Sequence, residues 1–387
     1  MNTRYSRGAR AACILVAGIS ILVVGIQPVF IGLMTERLGL SLPQQGTLIA
    51  VEMCGSVLGT LLVTPLFKRL GNRSVCLLFT GALVLLNLAT GIVTRAEPLM
   101  ALRLLAGVAS GALYAQTVYS LGRMPGQDRS FGLLLLMQTL IFALMAAVLP
   151  QLAERFGLFV ALLAIAAWFA LAFVACAWLP EAPDGEVQEP ASRTALGPAV
   201  IGVAALIGML CLQFSIYAVW GFIDAMAGER GLDATQVGWA ISLGLLGGLP
   251  GAGLPSLLEH RVGRAWMILL GSLCVAVSVM LLASGVSDAA ELAGGVFLMN
   301  FGWMLALSYY MASVVAHDST GRLTRLVSVV QVSSAASAPT VLSVLMGDDG
   351  QRLIFAFSLS SVLAGGLLQI LVRMVAHRSP QGVLARF

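Results

Sequence analysis

Two charged side chains, Glu52 and Arg103, stand inside otherwise apolar stretches of the chain. A carboxyl group away from water can take up and release a proton, and a guanidinium can hold a carboxylate or an anionic solute. Burial disfavours the charged form of a carboxyl and a neighbouring cation favours it, so a contact that is made and broken in turn would switch protonation. Counted from the ends of their apolar runs at 1.5 Å per helical residue, Glu52 lies about 12 Å in and Arg103 about 8 Å in. These depths allow a pair. Two readings stay open: a proton-coupling couple whose Arg103 also receives an anionic solute, or a static ion pair locking two helices.

A second set is polar without net charge, apart from one acid: Gln27, Gln116, Gln138, Gln213, Tyr217, Trp220, Asp224, Asn300 and Trp303. Gln213, Tyr217, Trp220 and Asp224 recur at helical spacing, as do Asn300 and Trp303, so each group falls near one helix face. Such faces suit a cavity in which a solute is hydrogen-bonded and stacked. For any single member, packing between helices is an equal reading, and Asp224 also reads as a solvated helix end. Pro28, next to Gln27, removes a backbone hydrogen bond and bends its helix, either as a gating hinge or as a static kink.

The elements that carry these residues follow from composition. The chain is 59% hydrophobic and 10% charged, whereas a soluble domain carries roughly a quarter charged residues. Lipid can accept helices that are apolar all round. Apolar runs fall near 11–34, 44–66, 74–94, 98–122, 130–150, 157–179, 199–223, 235–258, 265–284, 289–313, 323–346 and 352–375. Each approaches the ~20 residues a helix needs to cross the bilayer. The first is too long for the apolar core of a signal peptide and reads as a span. With the N-terminus inside, 16 of the 22 Lys and Arg residues fall in inner loops and 5 in outer ones. That bias predicts cytoplasmic termini and a multi-pass protein of the cytoplasmic (inner) membrane. The net charge of +4 therefore marks topology, not nucleic-acid binding. A proline-rich acidic stretch at 181–198 separates residues 1–180 from 199–387.

The two parts repeat. A shift of 192 residues carries Gly39-Leu40 onto Gly231-Leu232, Gln44 onto Gln236, and Gly55 and Gly59 onto Gly247 and Gly251. It carries Arg69-Leu70-Gly71 onto Arg261-Val262-Gly263. The glycines, four apart, suit close helix contact. Glu52 and Arg103 map onto Gly244 and Gly295, so the repeated scaffold does not demand either charge.

Two six-helix halves joined by a linker, with these motifs, resemble the major facilitator superfamily of secondary transporters. The loop Lys68-Arg69-Leu70-Gly71-Asn72-Arg73 resembles that family's loop motif between spans 2 and 3, with an echo through Arg261 and Gly263. Its acidic position is Lys68 here and its first glycine position is Thr64. Arg103-x-x-x-Gly107-x-x-x-Gly111 resembles the fourth-helix motif of proton-coupled members. The glycine- and proline-rich fifth-helix motif of drug/proton antiporters is missing, so the likeness to that branch is loose. The resemblance implies an all-α integral membrane fold of twelve helices in two pseudo-symmetric bundles. It makes Pro28, Lys68, Arg69, Gly71, Arg73, Gly107, Gly111, Arg261 and Gly263 gating or conformational residues.

An enzyme is not expected: the spans hold no histidine and no acidic dyad, and there is no P-loop. The six cysteines form no C-x-x-C pair and read as small buried hydrophobes, so neither metal nor cofactor is expected. The expected function is secondary active transport of a small organic solute, amphipathic or a monocarboxylate, by alternating access with proton coupling. Import is mildly favoured, proton-driven efflux of drugs or metabolites is the alternative, and a non-transporting sensor or scaffold is a remote one. The expected partners are the bilayer, the solute and protons, with the chain monomeric.

Overall fold

A computed structural model describes residues 7–40, 42–181, 197–220, 223, 230–232, 234–258, 261–318, 320–345 and 350–377. The described residues are helical almost throughout, with no strand among them. Helices satisfy every backbone donor and acceptor within the segment, which lipid requires of a spanning chain. The helices are α1 (Arg7–Ser20), α2 (Leu22–Gly25), α3 (Gln27–Leu38), α4 (Leu42–Leu70), α5 (Asn72–Thr90), α6 (Ala96–Gly122), α7 (Gln127–Phe156) and α8 (Leu158–Ala175). After the linker come α9 (Pro198–Trp220), α10 (Ala234–Leu245), α11 (Gly248–Leu258), α12 (Arg264–Ser284), α13 (Ala289–Ala316), α14 (Arg322–Leu345) and α15 (Gly350–His377).

Among the described residues, ten helices are long and apolar enough to cross a membrane, α10 and α11 contributing one of them as Trp239–Leu258. They correspond to expected spans 2–10 and 12. The first expected span is instead three short pieces. Ile21 and Ile26 leave helical geometry, and Pro28 sits in the first turn of α3, where its missing N–H costs nothing. The break thus begins before the Gln27-Pro28 step and spreads over six residues. The eleventh expected span, α14, is a helix but less apolar. Its hydroxyls turn back onto its own carbonyls, as Ser334 Oγ does to Val330 O at 2.6 Å and Ser337 Oγ to Ser333 O at 2.6 Å.

The chain clusters into two compact units. One comprises Met1–Pro125 and Met137–Gly185, the other Gly126–Leu136 and Glu186–Phe387. The start of α7 therefore belongs with the second unit. There Asp128, in its first turn, takes a bidentate pair from Arg264 of α12, with Nε to Oδ1 at 2.7 Å and Nη2 to Oδ2 at 3.0 Å.

Within the first unit, α4 and α6 cross at backbone contact. A Cβ on Gly55 or Gly59 would strike the carbonyl oxygens of Leu104 and Val108. A Cβ on Gly107 or Gly111 would strike those of Glu52 and Ser56. Small residues on both helices let the axes approach this closely, and Thr60 Oγ1 bonds across the seam to Gly111 O at 3.2 Å. The repeat has the same physical content in the second unit. A Cβ on Gly247 would meet the Phe297 carbonyl and one on Gly251 the Phe301 carbonyl, both on α13.

Candidate functional site

The glycine seam places the two charged residues of the first unit side by side. Arg103 sits one turn before Gly107, and Gly107 lies against the Glu52 backbone, so the side chains meet where the helices touch. Both are buried, at 1% and 3% exposure. Arg103 Nη2 donates to Glu52 Oε1, and Nε donates to Oε2 at 3.3 Å. A bidentate pair of this kind is directional as well as strong.

Two further residues complete the cluster. Arg103 Nη1 donates to Asn87 Oδ1 at 3.1 Å, in the last turn of α5. Asn87 is itself oriented, because its Nδ2 donates to Leu83 O at 2.7 Å. The guanidinium lies over the Phe30 ring of α3, 4.8 Å from its centroid, within cation–π range. Arg103 therefore has a carboxylate, an amide oxygen and an aromatic face around it. Neither Asn87 nor Phe30 was singled out by sequence reasoning. The available signal for Asn87 was a lone amide within an apolar run.

The other expected residues separate into groups. Gln116 does not join Arg103: its Nε2 donates to Asn72 Oδ1 at 2.7 Å, near the far end of α6. Ser120 Oγ donates to the same oxygen at 3.1 Å, and Asn72 Nδ2 donates to Pro180 O at 2.8 Å. Arg73 adds Nη2 to Leu179 O at 2.9 Å and an exposed ion pair with Glu181 at 3.6 Å. The loop motif that carries Lys68 in place of an acid thus makes a largely neutral latch, turning on Gly71 at φ +77°. That latch holds the chain just beyond α8. Arg69 and Arg261 are exposed, and Gly263 precedes α12.

Gln27 and Gln138 each carry a buried Nε2 with no hydrogen-bond partner among the described residues. In the second unit, Trp303 Nε1 donates to Gln213 Oε1 at 2.6 Å, and the Tyr217 ring meets Trp303 edge-on at 5.7 Å. Gln213 and Tyr217 of α9 thus meet Trp303 of α13, a pairing that the spacing within each helix did not specify. Trp220 is half-buried at the end of α9, and Asn300 turns back to Val296 O at 3.0 Å on its own helix. Asp224 and the Lys68 side chain lie outside the described residues.

The first unit offers a buried carboxylate, Glu52, held by a fixed cation. In the second, the available chemistry is hydrogen bonding and stacking on an apolar-walled aromatic face. A profile described as the Major Facilitator Superfamily matches residues 13–337. A comparison with curated proteins gave no match. The matched span covers most of the chain: this is a multi-pass membrane protein belonging to the major facilitator superfamily, whose members are generally transporters rather than enzymes.

Proposed function

We propose that the chain is a secondary active transporter that moves a small amphipathic organic molecule or monocarboxylate across the cytoplasmic membrane by alternating access. Uptake is coupled to protons through Glu52 and Arg103. Twelve spans form two six-helix bundles, 1–180 and 199–387, joined by the linker 181–198, with both termini cytoplasmic and the chain monomeric. The observation that carries the reading is the buried Glu52–Arg103 pair, since an ionisable group in a spanning helix is costly unless it serves function or is paired. A single internal base suits one carboxylate and not a phosphate-bearing solute, which would need several cations.

In this cycle, a proton neutralises Glu52 and loosens its hold on Arg103. The freed N–H groups then receive an anionic solute. Loss of the proton on the other side restores the pair and expels the solute.

The test is uptake into proteoliposomes under an imposed inward proton gradient, across a panel of monocarboxylates and neutral amphipathic solutes. Glu52→Gln is expected to abolish gradient-driven accumulation while leaving downhill exchange of the same solute. Undiminished gradient-driven accumulation by Glu52→Gln would remove the proton role.

A further inference from the structure

Arg103 has a second acceptor. A cation whose only partner was Glu52 would be stranded in an apolar seam each time that carboxyl took a proton. The cost of a lone buried charge would then oppose the protonation itself. Asn87 meets this difficulty with a neutral oxygen. Its Oδ1 sits 3.1 Å from Arg103 Nη1. Its own Nδ2 is committed to Leu83 O at 2.7 Å, so the amide cannot turn its donor toward the cation without losing that bond.

We propose that Asn87 is a positioning residue that holds Arg103 in place while Glu52 is neutral, with the Phe30 ring as a second uncharged support. This inference rests on the proton role given to Glu52 above. Of the Arg103 partners, only Glu52 changes charge in the cycle. The others keep the guanidinium at a fixed spot, so its freed donors face the place that the carboxylate held.

The internal repeat argues that packing alone does not account for Asn87. The 192-residue shift carries it onto Val279, which is buried at 1% exposure in α12. The scaffold therefore accepts an apolar residue at this position. In the first unit, where a cation stands nearby, the position carries an amide.

No other ionisable group lies within this cluster among the described residues. On α4, Cys54 is exposed, and Arg69 is more than four turns from Glu52. On α6, Glu97 lies about 9 Å before Arg103 along the axis, and Tyr114 about 16 Å after it. On α5, Cys76 is about 16 Å from Asn87. On α3, Glu36 and Arg37 lie about 9–10 Å past Phe30. On α1, Arg10 donates to Pro125 O and Cys13 is buried. Helix α8 carries no ionisable residue.

The experiment is an infrared titration of the full-length protein in lipid. The carboxyl C=O band of Glu52 is assigned by its loss in Glu52→Gln, and no solute is needed. Asn87→Leu deprives Arg103 of its neutral acceptor, so protonating Glu52 becomes harder. The midpoint is expected to move toward acid by at most about one pH unit, the tenfold effect of one hydrogen bond to a charged group, since the bond is also made while Glu52 is ionised. Asn87→Asp supplies a competing carboxylate, and the midpoint is expected to move toward alkali. A merely structural asparagine would leave the midpoint of Asn87→Leu in place.

A midpoint unchanged in both variants, with Glu52 still titrating, overturns the role of Asn87 and leaves the proton role standing. A Glu52 band that does not titrate at all overturns both. If Asn87→Leu does not fold, Asn87→Ala takes its place, and an unchanged midpoint there overturns the proposal.

Discussion

Removing Arg103 should harm the protein far more than neutralising Glu52, and the structure sets the scale. Among the described residues, Arg103 supplies every hydrogen bond that the Glu52 carboxylate receives. Arg103→Leu leaves that carboxylate, at 3% exposure, without a donor. Breaking a buried pair from one side costs about 3–5 kcal/mol. Glu52→Gln keeps a carbonyl oxygen for the guanidinium, and Asn87 and Phe30 remain, so only the difference between a charged and a neutral acceptor is lost, about 1–2 kcal/mol.

For a unit of this size a kcal/mol moves the melting temperature by roughly 2–4 °C. Arg103→Leu should therefore melt on the order of 10 °C below wild type and Glu52→Gln only a few degrees below. The double variant Glu52→Leu/Arg103→Leu should recover most of the loss, because an apolar pair of similar bulk suits the seam. The assay is thermal unfolding of the detergent-purified protein at one pH. The reasoning is refuted if Arg103→Leu melts within about 2 °C of wild type, less than one kcal/mol would give, or if the double variant melts no higher than Arg103→Leu.

Gly107→Leu should separate α4 from α6 and break the pair, costing about 1–3 kcal/mol as an overpacked core. Gly32→Leu is the matched control, since among the described residues nothing lies within 4 Å of its Cβ position. Asn72→Leu removes the acceptor of Gln116 Nε2 and the donor to Pro180 O and should cost about 1–3 kcal/mol. Adding Gln116→Leu should cost less than the sum of the two, with a coupling of about 0.5–3 kcal/mol, as measured by unfolding of the four proteins of the cycle.

The spans were legible because lipid leaves a chain few choices, and the repeat register carried the glycine seam into both units. Glu52 and Arg103 were legible as a pair because charge in an apolar run is rare and helical rise turns sequence depth into distance. Asn87 was not: it carries no charge, and its partner is on another helix. Gln116 was placed with the solute-facing set on polarity alone, and its partner Asn72 lies 44 residues away with no pattern linking them. The break before Pro28 was visible at the proline. Its earlier start at Ile21 follows from geometry that no local residue type announces.

The asymmetry of the repeat limits how this protein could have evolved and how it can be engineered. The counterparts of Glu52 and Arg103 are Gly244 and Gly295. A side chain at the first would collide with Val296, and at the second with Leu282, whose Cδ2 lies 2.7 Å from the Cβ position. At these two positions a charged side chain cannot enter the other half without displacing a neighbour. Under the proposed function, proton coupling then stays with one half of a duplicated scaffold, and the other half can change its residues without touching the coupling.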